Sequence, residues 1–244
     1  MWYKLNWIYV WNQKVRPEPE PPFTPWANTL AYYPLQKDVN DYSWNWRNWT
    51  NYNVTFSDGI ATFNGSYSSI VVPSADRQKP TSNFTISAWA RPTSWTHTGS
   101  WKPMFIVTKW QFYANTEQDF FYWLAITDEN KYAFWWIATW ISDDWDTYPW
   151  ESTTAVNLNE RNLYTLTNNW TTKTLYLNGV QIKQATADTT DSSSSIPIVI
   201  GDAYFNNNHG YFNWNISEVI LENKTRTQQD ILDYYNQTKG IYGL

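Results

Sequence analysis

Between residues 29 and 222 the chain is a succession of short apolar segments separated by turn residues. Phe84–Trp89 and Thr174–Leu177 alternate apolar with polar side chains, which is typical of antiparallel strands that bury one face. Asn178-Gly179 lies between two such segments and is a strong hairpin signal. Strands do not alternate with helical patterns, which argues against a parallel α/β fold. About a dozen strands at this spacing predict an all-β, two-sheet antiparallel sandwich.

The sequence divides into three predicted parts. Residues 1–16 form a short leader segment, residues 17–28 a proline-rich linker, and residues 29–244 the sandwich. The prolines of the linker favour polyproline II, which makes it a stiff spacer. Within the sandwich, Tyr52–Phe56 is predicted as a single strand. Near the C-terminus, Thr227 and Asp230 resemble a capping box, so a short helix is predicted to start there and to end at Gly240.

Composition excludes several classes of protein. The formal net charge is −5, which disfavours binding to nucleic acid or to an anionic membrane. There is no cysteine, so disulfide scaffolds and thiolate chemistry are excluded. No run of 18 apolar residues is present, which predicts no membrane insertion. The opening segment alternates polar with apolar residues and does not resemble a signal peptide.

The tryptophan content is anomalous. The chain has 19 Trp and 8 Gly, whereas glycine makes up about 7% of an average protein. Three indoles lie among polar residues in Ser43-Trp44-Asn45-Trp46-Arg47-Asn48-Trp49-Thr50, where turn chemistry normally calls for glycine. We therefore hypothesise that most tryptophans are glycines encoded by UGA. The alternative is a genuine tryptophan-rich surface that binds sugars.

The hypothesis assigns each tryptophan by its context. Trp89 lies in a strand-like segment and is interpreted as a true tryptophan, and one of Trp135 and Trp136 is assigned to glycine. The other positions assigned to glycine are Trp2, Trp7, Trp11, Trp26, Trp44, Trp46, Trp49, Trp95, Trp101, Trp110, Trp123, Trp140, Trp145, Trp150, Trp170 and Trp214.

Several segments together resemble a known family. Four segments resemble those of laminin-G-like domains and occur in the same order. They are the opening Leu30-Ala-Tyr-Tyr-Pro-Leu35, the strand Phe84-Thr-Ile-Ser-Ala-Trp-Ala-Arg-Pro92, the hairpin Leu175-Tyr-Leu-Asn-Gly179 and the closing Phe212-Asn-Trp-Asn-Ile-Ser-Glu-Val219. The resemblance covers residues 29–240 and implies a concanavalin A-like jelly roll. The agreement with the family's sequence pattern is closer when the tryptophans are read as glycine. Ser217 replaces the usual aspartate of the closing strand, which weakens any metal ligand carried over at that position.

The first 16 residues resemble the short leader of phage or prophage virion surface proteins when their tryptophans are read as glycine. This resemblance implies a location outside the cell or on a virion surface, with other virion proteins as partners. A virion protein is released by lysis, which fits the predicted lack of a signal peptide.

Catalytic patterns are weak. Glycosidases of the resembling class carry a cluster of acids on one strand, and Glu117-Gln-Asp119 has the spacing of a same-face pair but no third acid. His97 and His209 lie in polar loops without evident partners for a triad or a zinc site. We therefore expect that the protein is not an enzyme.

Two acidic clusters have the oxygen ligands that calcium prefers. Asp38 and Asp41 follow the first predicted strand of the sandwich, where related domains bind calcium in some cases. Asp143, Asp144 and Asp146 form the second cluster. The alternative for both is an ordinary acidic surface turn.

A sugar site needs an aromatic face together with amide or carboxylate side chains. The predicted ligand-binding residues, all in loops, are Tyr148, Tyr204, Phe205, Asn206, Asn207, Asn208 and His209. The expected function is a non-catalytic carbohydrate-binding or adhesion module that recognises a glycan or another cell-surface ligand. The alternatives are a structural virion component without glycan binding and a glycoside hydrolase or lyase.

Overall fold

The computed structural model describes residues 8–10, 13–15, 23–45, 49–72, 83–94, 103–110, 120–127, 132–136, 151–186, 197–205 and 208–244. Its strands and helix are, in chain order, β1 (Ile8–Val10), β2 (Gln13–Val15), β3 (Thr29–Tyr33), β4 (Thr50–Tyr52), β5 (Thr55–Ser57), β6 (Ile60–Asn64), β7 (Ser69–Val72), β8 (Asn83–Pro92), β9 (Pro103–Trp110), β10 (Phe120–Thr127), β11 (Tyr132–Trp136), β12 (Glu151–Ala155), β13 (Asn162–Asn169), β14 (Thr172–Leu177), β15 (Val180–Thr186), β16 (Ile198–Ile200), β17 (Tyr204–Phe205), β18 (Asn208–His209), β19 (Asn213–Glu222) and α1 (Gln228–Thr238).

Two antiparallel sheets pack face to face. The seven-stranded sheet has the order β12-β11-β10-β9-β16-β7-β4, and the eight-stranded sheet has the order β15-β14-β13-β8-β19-β6-β5, with β3 also paired to β19. β1 and β2 form a separate hairpin. The predicted all-β sandwich with a short C-terminal helix is confirmed.

The main core fills the space between the sheets. Ile86 and Leu166 from the eight-stranded sheet and Ile106 and Leu124 from the seven-stranded sheet belong to one buried cluster. Full burial of such side chains contributes about 1.5–3 kcal/mol each, so this layer is the main source of stability.

A second cluster covers the outer face of the eight-stranded sheet. Trp89, fully buried on β8, packs with Ile231 and Tyr234 of α1 and with Phe23. The indole of Trp89 stacks on Tyr235 with 5.7 Å between ring centroids. β8 is therefore buried on both faces, although its alternating sequence predicts a half-buried strand.

Local turn signals account for two elements. Asn178 and Gly179 both have positive φ, and a Cβ on Gly179 would lie 2.7 Å from the Leu232 backbone, so the hairpin needs glycine for conformation and for space. Thr227 accepts from the Asp230 N–H while the Asp230 side chain accepts from the Thr227 N–H. The predicted hairpin and capping box are both confirmed.

The prediction of one strand at Tyr52–Phe56 is wrong. Asn53 has a φ of 54°, and this left-handed residue turns the chain from β4 in one sheet to β5 in the other. The Asn51 side chain holds the turn, because its amide donates to the Val54 carbonyl and accepts from the Val54 N–H, each at 2.9 Å. β12 and the small hairpin β17–β18 were not predicted.

The predicted division into leader, linker and sandwich stays a prediction. Two residues of the predicted linker contact the sandwich. Phe23 is buried against Tyr32, with ring centroids 5.0 Å apart. The Trp26 indole N–H donates to the Glu222 carboxylate at the end of β19.

Candidate functional site

The chain crosses from one sheet to the other between β16 and β19, at one end of the sandwich. The Gly201 N–H donates to the Ile106 carbonyl at 3.1 Å, and the Phe212 N–H donates back to the Gly201 carbonyl at 3.0 Å. Gly201 has a φ of 83°, and a Cβ there would overlap the Phe63 ring, so only glycine fits this crossing. The crossing carries the hairpin β17–β18, in which Tyr204 pairs with His209.

A buried carboxylate orients the one described histidine of this crossing. Asp202 Oδ2 lies 2.8 Å from His209 Nδ1, and Asp202 is buried whereas the His209 side chain is 30% exposed. Burial raises the pKa of Asp202 above its ordinary value, and the hydrogen bond from His209 opposes that shift. When Nδ1 carries the proton and donates it to Asp202, Nε2 is the acceptor nitrogen of the ring.

Two tyrosines extend this pair, Tyr211 buried and Tyr67 exposed. The His209 ring stacks on Tyr211 with 4.5 Å between centroids and 6° between planes. Tyr67 lies at the turn between β6 and β7 and is 69% exposed. Its ring centroid is 5.6 Å from that of Tyr211. Burial, together with the charges of Asp202 and Tyr67, raises the pKa of Tyr211 to about 12, so its hydroxyl stays protonated at neutral pH. We call Tyr67, Asp202, His209 and Tyr211 the His209 cluster.

The structure brings together only part of the predicted ligand-binding set. His209 lies in the His209 cluster. Tyr204, Phe205 and Asn208 belong to the hairpin β17–β18, but their side chains lie outside the described part of the chain. Tyr148, Asn206 and Asn207 also lie outside the described residues. These residues stay predictions.

Sequence reasoning missed Tyr67, Asp202 and Tyr211. Tyr211 follows His209 by two positions, and this spacing places side chains on one face of an extended chain, so a signal was present. Tyr67 is far away in sequence and carries no local signal that would place it beside His209.

The predicted calcium ligands lie in the loop after β3. Asp41 Oδ1 accepts from the N–H groups of Tyr32 at 3.0 Å and Ser43 at 2.8 Å, and Asp38 accepts from the Asn40 N–H at 3.0 Å. These hydrogen bonds show that both carboxylates shape the loop. Within the described ranges no group of three or more His, Cys, Asp or Glu side chains is suited to a metal. Calcium binding at Asp38 and Asp41 stays a prediction.

The acids considered for catalysis or for a second calcium site lie outside the described residues: Glu117, Asp119, Asp143, Asp144 and Asp146. His97 also lies outside them. Among the described residues, Glu218 on β19 has a carboxyl that is almost completely buried, since the residue is 1% exposed. It accepts from the Tyr32 hydroxyl at 3.1 Å and from the hydroxyl of Tyr234, a residue of α1. Because the helix covers this carboxyl, it does not line an open site.

A laminin-G family model, described as the concanavalin A-like lectin/glucanases superfamily, matches residues 64–232. The chain belongs to this family. No curated protein matches the sequence.

Solved structures with the same fold share little sequence with this chain. Domain 4 of AbnA, a GH43 extracellular arabinanase from Geobacillus stearothermophilus determined in complex with arabinotriose, is 15% identical with a TM-score of 0.59, over 85% of this chain and 98% of that domain. The binding domain of Paraclostridial Mosquitocidal Protein 1 is 18% identical with a TM-score of 0.60, over 86% of this chain and 52% of that one. The binding domain of botulinum neurotoxin serotype D is 16% identical with a TM-score of 0.59, over 86% and 51%.

The chain therefore spans about half the length of the toxin binding domains that it matches and nearly all of the arabinanase domain. At these identities the likeness shows the fold alone. In the part of the chain that the structure describes, no helix is long and apolar enough to cross a membrane.

Proposed function

We propose that this protein is a non-catalytic carbohydrate-binding module and that it takes its ligand at the His209 cluster. The observation that carries this proposal is the exposed ring of Tyr67 beside the stacked rings of His209 and Tyr211. Sugars present apolar C–H faces that pack on aromatic rings, and hydroxyls that need donors and acceptors close by. The solved domain in complex with arabinotriose supports this class of ligand.

Each residue of the cluster has a distinct part in this proposal. Tyr67 supplies the apolar face for a sugar ring, and the partly exposed His209 supplies a polar contact beside it. Asp202 and Tyr211 act as positioning residues, since one fixes the imidazole by a hydrogen bond and the other by stacking. The backbone bonds at Gly201 hold the crossing in place before a ligand arrives, which lowers the entropy lost on binding.

Replacement of Tyr67 tests the site. We expect Tyr67→Ala to weaken binding to the oligosaccharides recognised on a glycan array by about five-fold or more, because tyrosine is enriched among the contact residues whose truncation costs over about 1 kcal/mol. Tyr42→Ala is the matched control, because Tyr42 is also an exposed tyrosine (38%) but lies in the loop after β3. Array titration measures both variants and arabinotriose serves as the first soluble probe. Equal binding by Tyr67→Ala and the parent would overturn the proposed site.

The proposed setting is outside the cell or on a virion surface, with a glycan or other cell-surface ligand and other virion proteins as partners. An array on which the parent binds no oligosaccharide would favour the structural virion component instead. Release of reducing sugar that is lost on mutation of Glu117 or Asp119 would favour a glycoside hydrolase. We expect neither result.

The recoding of tryptophan as glycine is the remaining part of the proposal. Trp170 has a φ of 47° at the exposed tip of the β13–β14 hairpin, a conformation that glycine adopts far more readily. The Trp49 ring centroid lies 3.3 Å from that of Tyr33, closer than the 4.5–7 Å of ordinary aromatic pairs, and its indole N–H is buried without a hydrogen-bond partner. By contrast, Trp214 donates to the Ser94 carbonyl at 2.9 Å, so an indole is accommodated there.

A peptide mass decides the question. Trypsin cleaves after Arg47, and we expect the fragment that starts at Asn48 in natively expressed protein to have the mass of glycine at position 49. Position 89 is the internal control, because Trp89 fills the outer cluster and is expected to remain tryptophan. A fragment with tryptophan at position 49 would contradict the recoding at that site. The His209 cluster contains no tryptophan, so its test stands in either case.

A further inference from the structure

A polar cleft of about 750 Å³ opens on the outer face of the eight-stranded sheet. Its floor includes Thr167 on β13 and Thr172, Thr174 and Tyr176 on β14, and its wall is the connection 223–227 between β19 and α1. The volume lies within the usual range for small-molecule sites, about 300–1,000 Å³. Nothing in the His209 cluster contributes to this cleft.

The wall of the cleft is fixed to the sheet. The Thr85 hydroxyl donates to the Lys224 carbonyl at 2.7 Å and accepts from the Arg226 N–H at 2.9 Å. The Thr225 hydroxyl donates to the Asn168 carbonyl. These bonds tie the connection to β8 and β13, so the cleft is formed in the absence of a ligand.

The chemistry of the lining points to a polyhydroxyl ligand. Apart from Lys224 and Arg226, every lining residue carries a hydroxyl or an amide, and no lining residue is aliphatic or acidic. Hydroxyls and amides both donate and accept, as the hydroxyls of a sugar do. An apolar ligand would displace water from these polar groups without offering them hydrogen bonds, and a divalent cation would lack carboxylates.

One of the two cations of the lining is paired within the protein. The Arg226 guanidinium forms two hydrogen bonds with the buried Glu222 carboxylate, and Lys224 is the other lining cation. With Arg226 paired, ten of the twelve lining side chains are neutral and polar, which favours an uncharged ligand.

We infer that this cleft is a second binding site, for a short uncharged oligosaccharide; the ligand class rests on the proposed function. β19 connects the two sites, because Tyr211 of the His209 cluster precedes Asn213 by two residues and Asn223 of the cleft directly follows Glu222. A strand of ten residues spans about 33 Å. One domain can then hold two glycan segments at opposite ends of a strand, and the avidity of two linked sites exceeds that of either one.

Variants at each site separate the two assignments on an array of uncharged and acidic oligosaccharides. Thr172→Tyr fills the cleft, and Gln184→Ala removes a lining amide that donates to Thr174 Oγ1 at 3.2 Å. Lys183→Ala is the matched control, because it lies on the same strand β15 and does not line the cleft. Thermal melting of each variant checks that the fold is kept.

We expect the array to contain uncharged oligosaccharides that Tyr67→Ala still binds. Thr172→Tyr should bind these same oligosaccharides at least ten-fold more weakly than the parent. Gln184→Ala should also bind them more weakly than the parent, whereas Lys183→Ala should bind them equally well. An unchanged profile in folded Thr172→Tyr overturns the inference, and if that variant does not fold, an unchanged profile in Gln184→Ala does so. Loss of all binding in Tyr67→Ala alone supports the His209 cluster and overturns the second site. If the cleft variants lose all binding and Tyr67→Ala binds as well as the parent, the cleft is supported and the proposed site is overturned. A parent that binds no oligosaccharide overturns both.

Discussion

Glu218→Gln is expected to remove most of the decline in stability that the buried Glu218 carboxyl should cause between about pH 4.5 and pH 7. Burial raises the pKa of Glu218 from 4.5 to about 7, while hydrogen bonds from Tyr234 and Tyr32 and the charge of Arg226 oppose that shift. The carboxyl is therefore protonated in the folded state over a range in which the unfolded chain has already released its proton.

The sign of the pH dependence follows from this difference. Below pH 4.5 the carboxyl of Glu218 is protonated in both states, and the full stability is present. As the pH rises from 4.5 through 7, the unfolded state binds fewer protons than the folded state, so the free energy of unfolding falls. The shift corresponds to a loss of about 3 kcal/mol, which levels off above the folded-state pKa.

Glutamine keeps the shape of the side chain but cannot ionise, so the variant should show a flatter profile. Urea denaturation of the parent and of Glu218→Gln from pH 4 to pH 8 gives the free energy of unfolding at each pH. Glu160→Gln, an exposed glutamate in the connection between β12 and β13, is the control and should follow the parent. Parallel profiles for all three proteins would show that Glu218 does not cause the decline.

Gly201→Ala is expected to destabilise the fold more than alanine at Gly65 or Gly179, because its added Cβ has the shortest contact of the three. A Cβ there would overlap the Phe63 ring in the core, and the residue has a positive φ that side chains disfavour. Left-handed backbone costs about 1–2 kcal/mol and overpacking about 1–3 kcal/mol, so we expect a loss of about 4 kcal/mol.

Gly59→Ala separates the two causes. Gly59 also has a positive φ of 76°, but no atom lies within 4 Å of the position of its Cβ, so this variant reports the backbone term alone. Urea midpoints at constant m-value measure both variants. Equal destabilisation of the two variants would mean that the Phe63 ring moves aside at no measurable cost in stability. We also expect Gly201→Ala to lose oligosaccharide binding at the His209 cluster, because the crossing that carries Asp202 and His209 must shift.

The sequence predicts those elements whose cause is local. The Asn178-Gly179 hairpin and the Thr227–Asp230 capping box depend on residues within four positions of one another. The strand predicted at Tyr52–Phe56 failed because the left-handed conformation of Asn53 is set by the side chain of Asn51, which an apolar pattern does not report.

The candidate site depends on long-range contacts that the sequence does not signal. His209 was predicted because of its polar, aromatic surroundings, but its contacts with Asp202 and, through Tyr211, with Tyr67 depend on how β6 and β7 lie beside the crossing. In the same way, the wall of the cleft is built by a connection that follows β19, whereas its floor comes from β13 and β14. Recognition of the family supplies the order of the strands but not these pairings.

The cluster on the outer face of the eight-stranded sheet has a mechanical consequence. Phe23, where the described sandwich begins, and Tyr242, two residues before its end, belong to this one cluster, together with Trp89 and Tyr234. Pulling Phe23 away from Tyr242 therefore breaks aromatic contacts on this outer face: those of Phe23 with Tyr32 and Tyr234, and that of Tyr242 with Trp89.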